Sequence, residues 1–523
     1  MKRELLRLQL ILLLLLAGTL TVQAQVAADD SAKLREIDAA AEKARQDWQV
    51  PGLAIAIVKN DKVIFAKGYG VRELGKSDPV DAQTLFAIAS NSKAFTTALL
   101  AMLVDEKKIA WDDKVSKYLP EFQMPDAYVT RELTIRDLVS HRSGLGTFSG
   151  DLLWYESNLT TDEILSRVRL LKPVNSFRAA FGYQNLMFMA AGRVIERVTG
   201  KPWSAVVRER ILDPLGMSRT TTTIRELKGN VAAPHNQLNG TMRVVHYGNV
   251  DSAAAAAGLN SCVSELAQWL RLQLGRGKFE GRQIFSPRQS WEMWQPNIFM
   301  RVSDAAMKNN PTQHFSGYGL GWFLSDYQGR RVVSHGGGLD GMISQTAMMP
   351  EENLGLVVLT NSESPVNVIM QNKIFDVMLG VPPRDWNGEF LARAKGNKEV
   401  EAAEDKRLVE ARIPNTKPTL ALSSYAGTYS GDLYGPVIVT EENGHLVLRM
   451  GRSPNLVADL EHWHYDTFQI HWRPSVAYAF PRGFVNFTID QQGRTDQLKI
   501  NQPNNDFWFY ELELHRADSG QKP

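Results

Sequence analysis

The sequence predicts an α+β fold in two parts: an antiparallel sheet flanked by helices with a mostly helical second lobe, then a small all-β barrel. Three observations predict it. Strand-like runs bracket a long helical middle, a highly charged stretch follows at about residues 385–417, and short alternating runs fill the chain from residue 418 onward. At 523 residues, 44% hydrophobic and 22% charged, the chain has apolar content for more than one packed core. Its formal net charge of +2 lacks the basic field that a nucleic-acid binder uses, so nucleic acid is not an expected partner and small or neutral ones are.

Residues 1–24 read as an export signal: a basic start, an apolar run from about Leu10 to Leu20, and Val22-Gln23-Ala24 as a peptidase site. The run is shorter than the ~20 residues a spanning helix needs, so cleavage near Ala24 is expected and a stable membrane anchor is not. Cys262 is the single cysteine, which excludes an intramolecular disulfide, and no cysteine near the signal end is available for a lipid. Cys262 reads as a small buried residue. The expected location is a bacterial periplasm or the cell exterior.

The first domain is expected over 25–384. AKLREIDAAAEKARQDW has helical spacing, and GLAIAIVKNDKVIFAKGYGV gives two apolar runs around Asn60-Asp61, a β-hairpin. From Thr84 to about Leu274 the pattern is mainly helical; strands return at YGLGWFLSDYQGRRVVSH, ISQTAMMP and LGLVVLTN. EFLARAKGNKEVEAAEDKRLVEAR has little apolar stripe and predicts an exposed linker helix within 385–417. Over 418–523, PVIVT, HLVLRM, FVNFTID and FWFYELELH alternate between turn residues, predicting a barrel.

Two Ser-x-x-Lys pairs occur. Ser519 to Lys522 lies in a polar tail, whereas Ser90-Asn91-Ser92-Lys93 opens an apolar helix. A serine at a helix N-terminus sits beside unpaired backbone N–H groups, and a lysine three residues on shares its face. Kept dry, that lysine can accept the serine proton during nucleophilic attack; kept wet, the pair is a helix cap with an exposed cation. Of two Tyr-x-Asn triplets, Tyr183-Gln184-Asn185 directly precedes an amphipathic helix, while Tyr247-Gly248-Asn249 does not and reads as structural. A phenol near a cationic lysine is expected to have a lowered pKa and to move protons, with Asn185 holding Lys93 or a substrate amide. His335-Gly336-Gly337-Gly338 follows strand-like RRVVS, and its glycines let a ligand lie along a strand edge. Gly336 to Gly341 also fits G-x-G-x-x-G, but a strand follows where a dinucleotide site needs a helix.

In order and spacing, Ser90-x-x-Lys93, Tyr183-x-Asn185 and His335-Gly336-Gly337 resemble the three motifs of the serine β-lactamase and penicillin-binding-protein-like superfamily, in its class C, esterase and D-peptidase branch. VPGLAIAIV, FAIASNSKAFTTALL, LTIRDLVSHRSGL, GYGLGW and LVVLTN are similar as well, so the resemblance spans about residues 32–380. The tail is similar to the lipocalin-like domain appended to many members. The resemblance implies that Ser90 forms an acyl-enzyme, Lys93 and Tyr183 shuttle protons, and Asn185, His335 and Gly337 bind substrate. It also implies an oxyanion site between the backbone N–H groups of Ser90 and Gly338, a geometry contributing about 3 kcal/mol per donor. Many relatives carry lysine where His335 stands; an imidazole of pKa near ~6.5 is a weaker anchor for a substrate carboxylate. This shifts the expectation from β-lactamase toward peptidase, amidase or esterase.

The expected activity is therefore hydrolysis of amide, peptide or ester bonds in small substrates, with D-amino-acid cell-wall peptides favoured. A β-lactamase and a non-turnover penicillin-binding or peptidoglycan-sensing protein are the alternatives. No metal or organic cofactor is required. His141, in SHRSGL, is read as structural rather than as a triad base. His462 and His464 share a strand face without an evident third ligand. The barrel is a candidate surface for homo-oligomerisation.

Overall fold

The computed structural model describes residues 30–238 and 240–517; the export segment read at 1–24 and the Ser519 to Lys522 pair lie outside them. Residues 30–47 form helix α1, in which Ile37, Ala41 and Ala44 recur at helical spacing and are buried. Strands β1 (Gly52–Lys59) and β2 (Lys62–Gly70) follow as a hairpin. Its turn residues Asn60 and Asp61 both take positive φ (50° and 61°), the conformation that two-residue hairpins favour.

β1 is buried from Gly52 to Val58 because it faces two layers at once. Leu53, Ile55 and Ile57 pack with α1 and the helix Val366–Leu379, while Ala54, Ala56 and Val58 join the opposite core with Leu266 and Leu270. Each fully buried leucine or isoleucine is worth about 1.5–3 kcal/mol. That two-sided burial explains why the run reads as continuously apolar. The remaining strands are β3 (Ile298–Met300), β4 (Ser316–Tyr318), β5 (Phe323–Tyr327), β6 (Arg330–Leu339), β7 (Met342–Met349) and β8 (Leu354–Thr360). Their order is β2-β1-β8-β7-β6-β5-β4-β3, wholly antiparallel, with Leu53 opposite Thr360. N- and C-terminal strands thus complete one sheet, as expected.

In the helical lobe, Ser92–Asp105 is buried along its length from Ser92 to Leu103, the mark of a helix running through a core. Asn185–Thr199 ends on Gly200 at φ 69°, a left-handed C-terminal cap. The charged linker is a helix, Trp386–Glu410, whose one buried residue is Trp386; the Trp386 indole anchors it by donating to Asp376 (2.6 Å).

Eight consecutive antiparallel strands, from Gly427–Gly431 to Leu514–Arg516, then close into a barrel through the pairing of Tyr429 with Arg516. Rings of Tyr425, Tyr429, Phe468 and Phe487 pack edge to face within it. Against the first domain, Trp508 approaches so closely that a Cβ on Gly146 would lie 2.1 Å from its ring. The barrel's Glu511 accepts hydrogen bonds from the Ser149 hydroxyl (2.5 Å) and the Gly150 N–H (3.1 Å).

Candidate active site

Ser90 lies in the single 3-10 turn Ala89–Asn91 that leads from the short strand Phe86–Ala87 into the helix at Ser92. Ala89 is left-handed (φ 43°), a conformation costing a residue with a side chain about 1–3 kcal/mol. Buried polar contacts hold this strained turn. The Asn91 amide donates to Ser344 Oγ (2.8 Å) and accepts from Thr346 Oγ1 (2.6 Å), and Ser344 Oγ donates to the Ile88 carbonyl (2.7 Å). The turn is thereby fastened to β7.

Lys93 has no exposed surface. Its Nζ stands 2.9 Å from Ser90 Oγ, 2.6 Å from Asn185 Oδ1 and 3.1 Å from the Ala256 carbonyl. Asn185 Oδ1 and the carbonyl can only accept, whereas the serine hydroxyl can donate. A neutral amine satisfies all three partners: it gives two hydrogens away and offers its lone pair to the Ser90 proton. Burial pushes the Lys93 pKa down to about 7, against the opposing pull of Asp151. The Ala256 carbonyl reaches Lys93 because small residues line this region; a Cβ on Gly192 would lie 2.5 Å from the Ala255 methyl.

Tyr183 covers the lysine, its ring centroid 4.8 Å from Nζ. Its backbone N–H donates to Thr147 Oγ1 (3.1 Å), and its ring lies 4.1 Å from that of His141. The expected lowering of the phenol is corrected here: burial raises the Tyr183 pKa, an effect that its interaction with Ser90 opposes without overcoming. Tyr183 is thus a neutral hydroxyl, suited to relaying a proton rather than to standing as a phenolate.

On the facing wall, β6 passes the Ser90 turn with no room to spare. A Cβ on Gly337 would lie 2.2 Å from the Ile88 carbonyl oxygen and 2.9 Å from the Ser90 nitrogen. Gly338, next along, is open, with Ile343 Cδ1 3.5 Å from a hypothetical Cβ. His335 is buried, and both ring nitrogens are engaged: Nδ1 donates to the Gly336 carbonyl (2.6 Å), which assigns the proton there and leaves Nε2 to accept from the Tyr318 hydroxyl (3.0 Å). Burial and the nearby Lys93 bring its pKa down to about 3, so His335 is a neutral wall of the cleft at any physiological pH.

Ser90, Tyr183, Asn185, His335, Gly337 and Gly338 line one cavity of about 590 Å³, with Lys93 beneath Ser90. His141 lies under the Tyr183 ring, its Nδ1 accepting from the Gln184 N–H (3.0 Å). Tyr247 donates to Asn260 Oδ1 (2.8 Å), Cys262 is fully buried, and His462 meets the Tyr465 carbonyl on the barrel exterior. Gly336 to Gly341 occupies the β6–β7 hairpin, as the strand pattern required.

Sequence reasoning missed two parts of the cavity. The first is Asp151, which accepts from Asn185 Nδ2 (2.7 Å). The second is the far end, where the barrel's Tyr478, Asp506 and Phe507 face Tyr155, Asp340 and Glu363. There Phe507 lies 4.1 Å from the Tyr155 ring, and Tyr155 and Tyr478 donate to Asp340 (2.7 Å) and Asp506 (2.8 Å). Burial raises the Asp340 pKa to about 7, with repulsion from Glu363 and Glu156 adding to it. Glu363 is water-accessible but hemmed in by the cleft walls, which raise its carboxyl, as does Asp506. No local spacing marks these residues in the sequence.

Residues 37–374 match the family model described as Beta-lactamase. The chain belongs to the beta-lactamase family. Its residues 411–516 match a second model, a domain of unknown function, DUF3471. The unguisins hydrolase ungD' of Aspergillus campestris (strain IBT 28561) is 29% identical over 403 residues, 73% of each chain. An octameric penicillin-binding protein homologue from Pyrococcus abyssi superposes with a TM-score of 0.61 at 20% identity, covering 92% of this chain and 100% of that one. A D-stereospecific amidohydrolase from Streptomyces sp. gives 0.53 at 23% identity, covering 66% and 98%. This beta-lactamase family member is an enzyme, a serine hydrolase at the level of the superfamily.

Proposed function

We propose that this chain is an exported hydrolase that cleaves amide, peptide or ester bonds through an acyl-enzyme on Ser90, with D-amino-acid-containing cell-wall peptides as its favoured substrates. The observation that carries the reading is the dry amine of Lys93, directed at Ser90 Oγ by two acceptors that take its hydrogens. Ser90 Oγ attacks the substrate carbonyl carbon as its proton passes to Lys93, and the carbonyl oxygen takes the charge between the N–H groups of Ser90 and Gly338. Collapse breaks the bond to the leaving nitrogen or oxygen, which takes a proton through the Tyr183 hydroxyl, replenished from the Lys93 ammonium. Water then repeats the sequence in reverse roles and releases the acid.

A neutral His335 and a cleft lined by Asp340, Glu363 and Asp506 disfavour substrates that need a carboxylate anchored, which weighs against a β-lactamase. The D-stereospecific amidohydrolase among the structural neighbours supports D-configured substrates. The basic, then apolar, start of the sequence supports export to the periplasm or beyond. The closed eight-strand meander supports the lipocalin-like reading of the tail domain, and the octameric Pyrococcus homologue supports assembly as an oligomer.

The test is a panel of matched D- and L-alanyl peptide amides and short esters, beside a chromogenic cephalosporin. D-substrates are expected to show at least a ~10-fold higher kcat/KM than their L-counterparts, about 1.4 kcal/mol of discrimination. Equal rates on both hands overturn the D-peptide assignment; faster cephalosporin turnover makes the protein a lactamase. A pH profile checks the base. Because Lys93 works as the neutral amine and its pKa is depressed to about 7, kcat/KM for a neutral ester should rise with pH through a limb near 7. A limb absent between pH 5 and 9 contradicts that role.

A further inference from the structure

The proposed mechanism puts a positive charge on Lys93 between attack and leaving-group departure, where the side chain has no exposed surface. A buried ammonium without a compensating charge is costly. Hydrogen bonds connect Lys93 to one carboxylate: Nζ to Asn185 Oδ1 (2.6 Å), then Asn185 Nδ2 to Asp151 Oδ2 (2.7 Å). We infer that Asp151 is a positioning residue that acts through Asn185, fixing which end of the amide faces Lys93 and holding the ammonium formed when Ser90 gives up its proton. The inference rests on Lys93 being the base.

With Asp151 ionised, the amide has one orientation. An ionised carboxylate only accepts, so Asn185 must turn its NH₂ to Asp151 and its oxygen to the lysine. Asp151 is 2% exposed, and its side-chain hydrogen bond runs to Asn185. Its second oxygen lies beside the Trp154 indole, which favours the charged form without reaching hydrogen-bond geometry. The turn that delivers Asp151 is set from the other domain. Gly150 is left-handed (φ 82°), and Glu511 of the barrel grips Ser149 and Gly150.

The surrounding charges agree. Burial raises Asp151 to about 7 and lowers Lys93 to about 7, and the charge of each favours the charged form of the other. Asp506 contributes to that rise at Asp151, Tyr183 and Tyr434 face it as neutral phenols raised by burial, and His141 and His335 beside Lys93 are driven neutral. The carboxylate of Asp151 raises the lysine pKa. Removing it must therefore lower that pKa and move the acid limb of activity to lower pH.

Asp151→Asn is the direct test, because the new amide still offers Asn185 an oxygen and lacks only the charge. In the full chain, the acid limb of kcat/KM for a neutral ester should move down by about one pH unit, with a plateau reduced by roughly tenfold. Asp151→Ser, also uncharged, serves if the asparagine variant does not fold. A reduced plateau with an unmoved limb is what a merely structural residue gives, and it overturns the inference. Lys93→Ala separates this from the base assignment. If that variant still acylates, the base reading fails and the inference with it; if it is inactive while the Asp151→Asn limb stays put, the inference fails alone.

Discussion

Ser90→Ala should lower kcat on an activated ester by on the order of 10⁴–10⁶ while the protein stays folded. The size of the effect follows from what remains: the hydroxyl hydrogen-bonded to the Lys93 amine is that of Ser90, and the neighbouring Tyr183 is a buried phenol held at raised pKa. The small cost in stability follows from position. Ser90 is partly exposed in the cleft, and its side chain meets Lys93, which keeps the Asn185 and Ala256 acceptors when the hydroxyl is gone. Thermal unfolding within about 0.5 kcal/mol of wild type, beside a lost steady-state rate, is the expected pair of readings. Residual activity above about a tenth of wild type would place the nucleophile elsewhere.

Gly337→Ala should give the second-largest loss, although it removes no functional group. The added methyl would sit 2.2 Å from the Ile88 carbonyl oxygen, 2.6 Å from Ser344 Oγ and 2.9 Å from the Ser90 nitrogen. Two of those atoms are backbone and cannot rotate aside, so β6 must move off the strained Ser90 turn. Overpacking of this kind costs about 1–3 kcal/mol of stability. A shift of roughly 1 Å between Ser90 and the facing strand is expected to cost on the order of 10² in kcat/KM. Gly338→Ala is the internal control. Its methyl would meet Ile343 at an ordinary 3.5 Å, so its melting temperature should stay close to wild type. Equal destabilisation of both variants would contradict the close approach at Gly337.

The residues that were legible in the sequence are those whose relationship is local or whose strand context is plain. Ser90 and Lys93 share a face because helices turn every 3.6 residues, and His335 to Gly338 lie on a strand because the β-branched pair Val332-Val333 leads into them. Their meeting with Tyr183 and Asn185 required the resemblance to a known family, since 90 residues of chain carry no distance information. What stayed illegible depended on burial and on partners remote in sequence. The phenol of Tyr183 moves upward because the cleft is dry, and the nitrogens of His335 are spent on Tyr318 and Gly336. Asp151 looks like any acid beside a glycine until Asn185 is placed against it. The far wall was least visible of all, because Tyr478, Asp506 and Phe507 come from a barrel whose pattern records its own core and nothing of the surface it covers.

Intact-protein mass followed by peptide mapping tests the central claim most directly, with the protein incubated briefly with an activated acyl donor such as a D-alanyl ester or a reactive β-lactam. The account predicts one added acyl group, on the peptide containing Ser90, absent from Ser90→Ala and lost with time from the wild type. An adduct on another residue, or one that persists undiminished in Ser90→Ala, would contradict it.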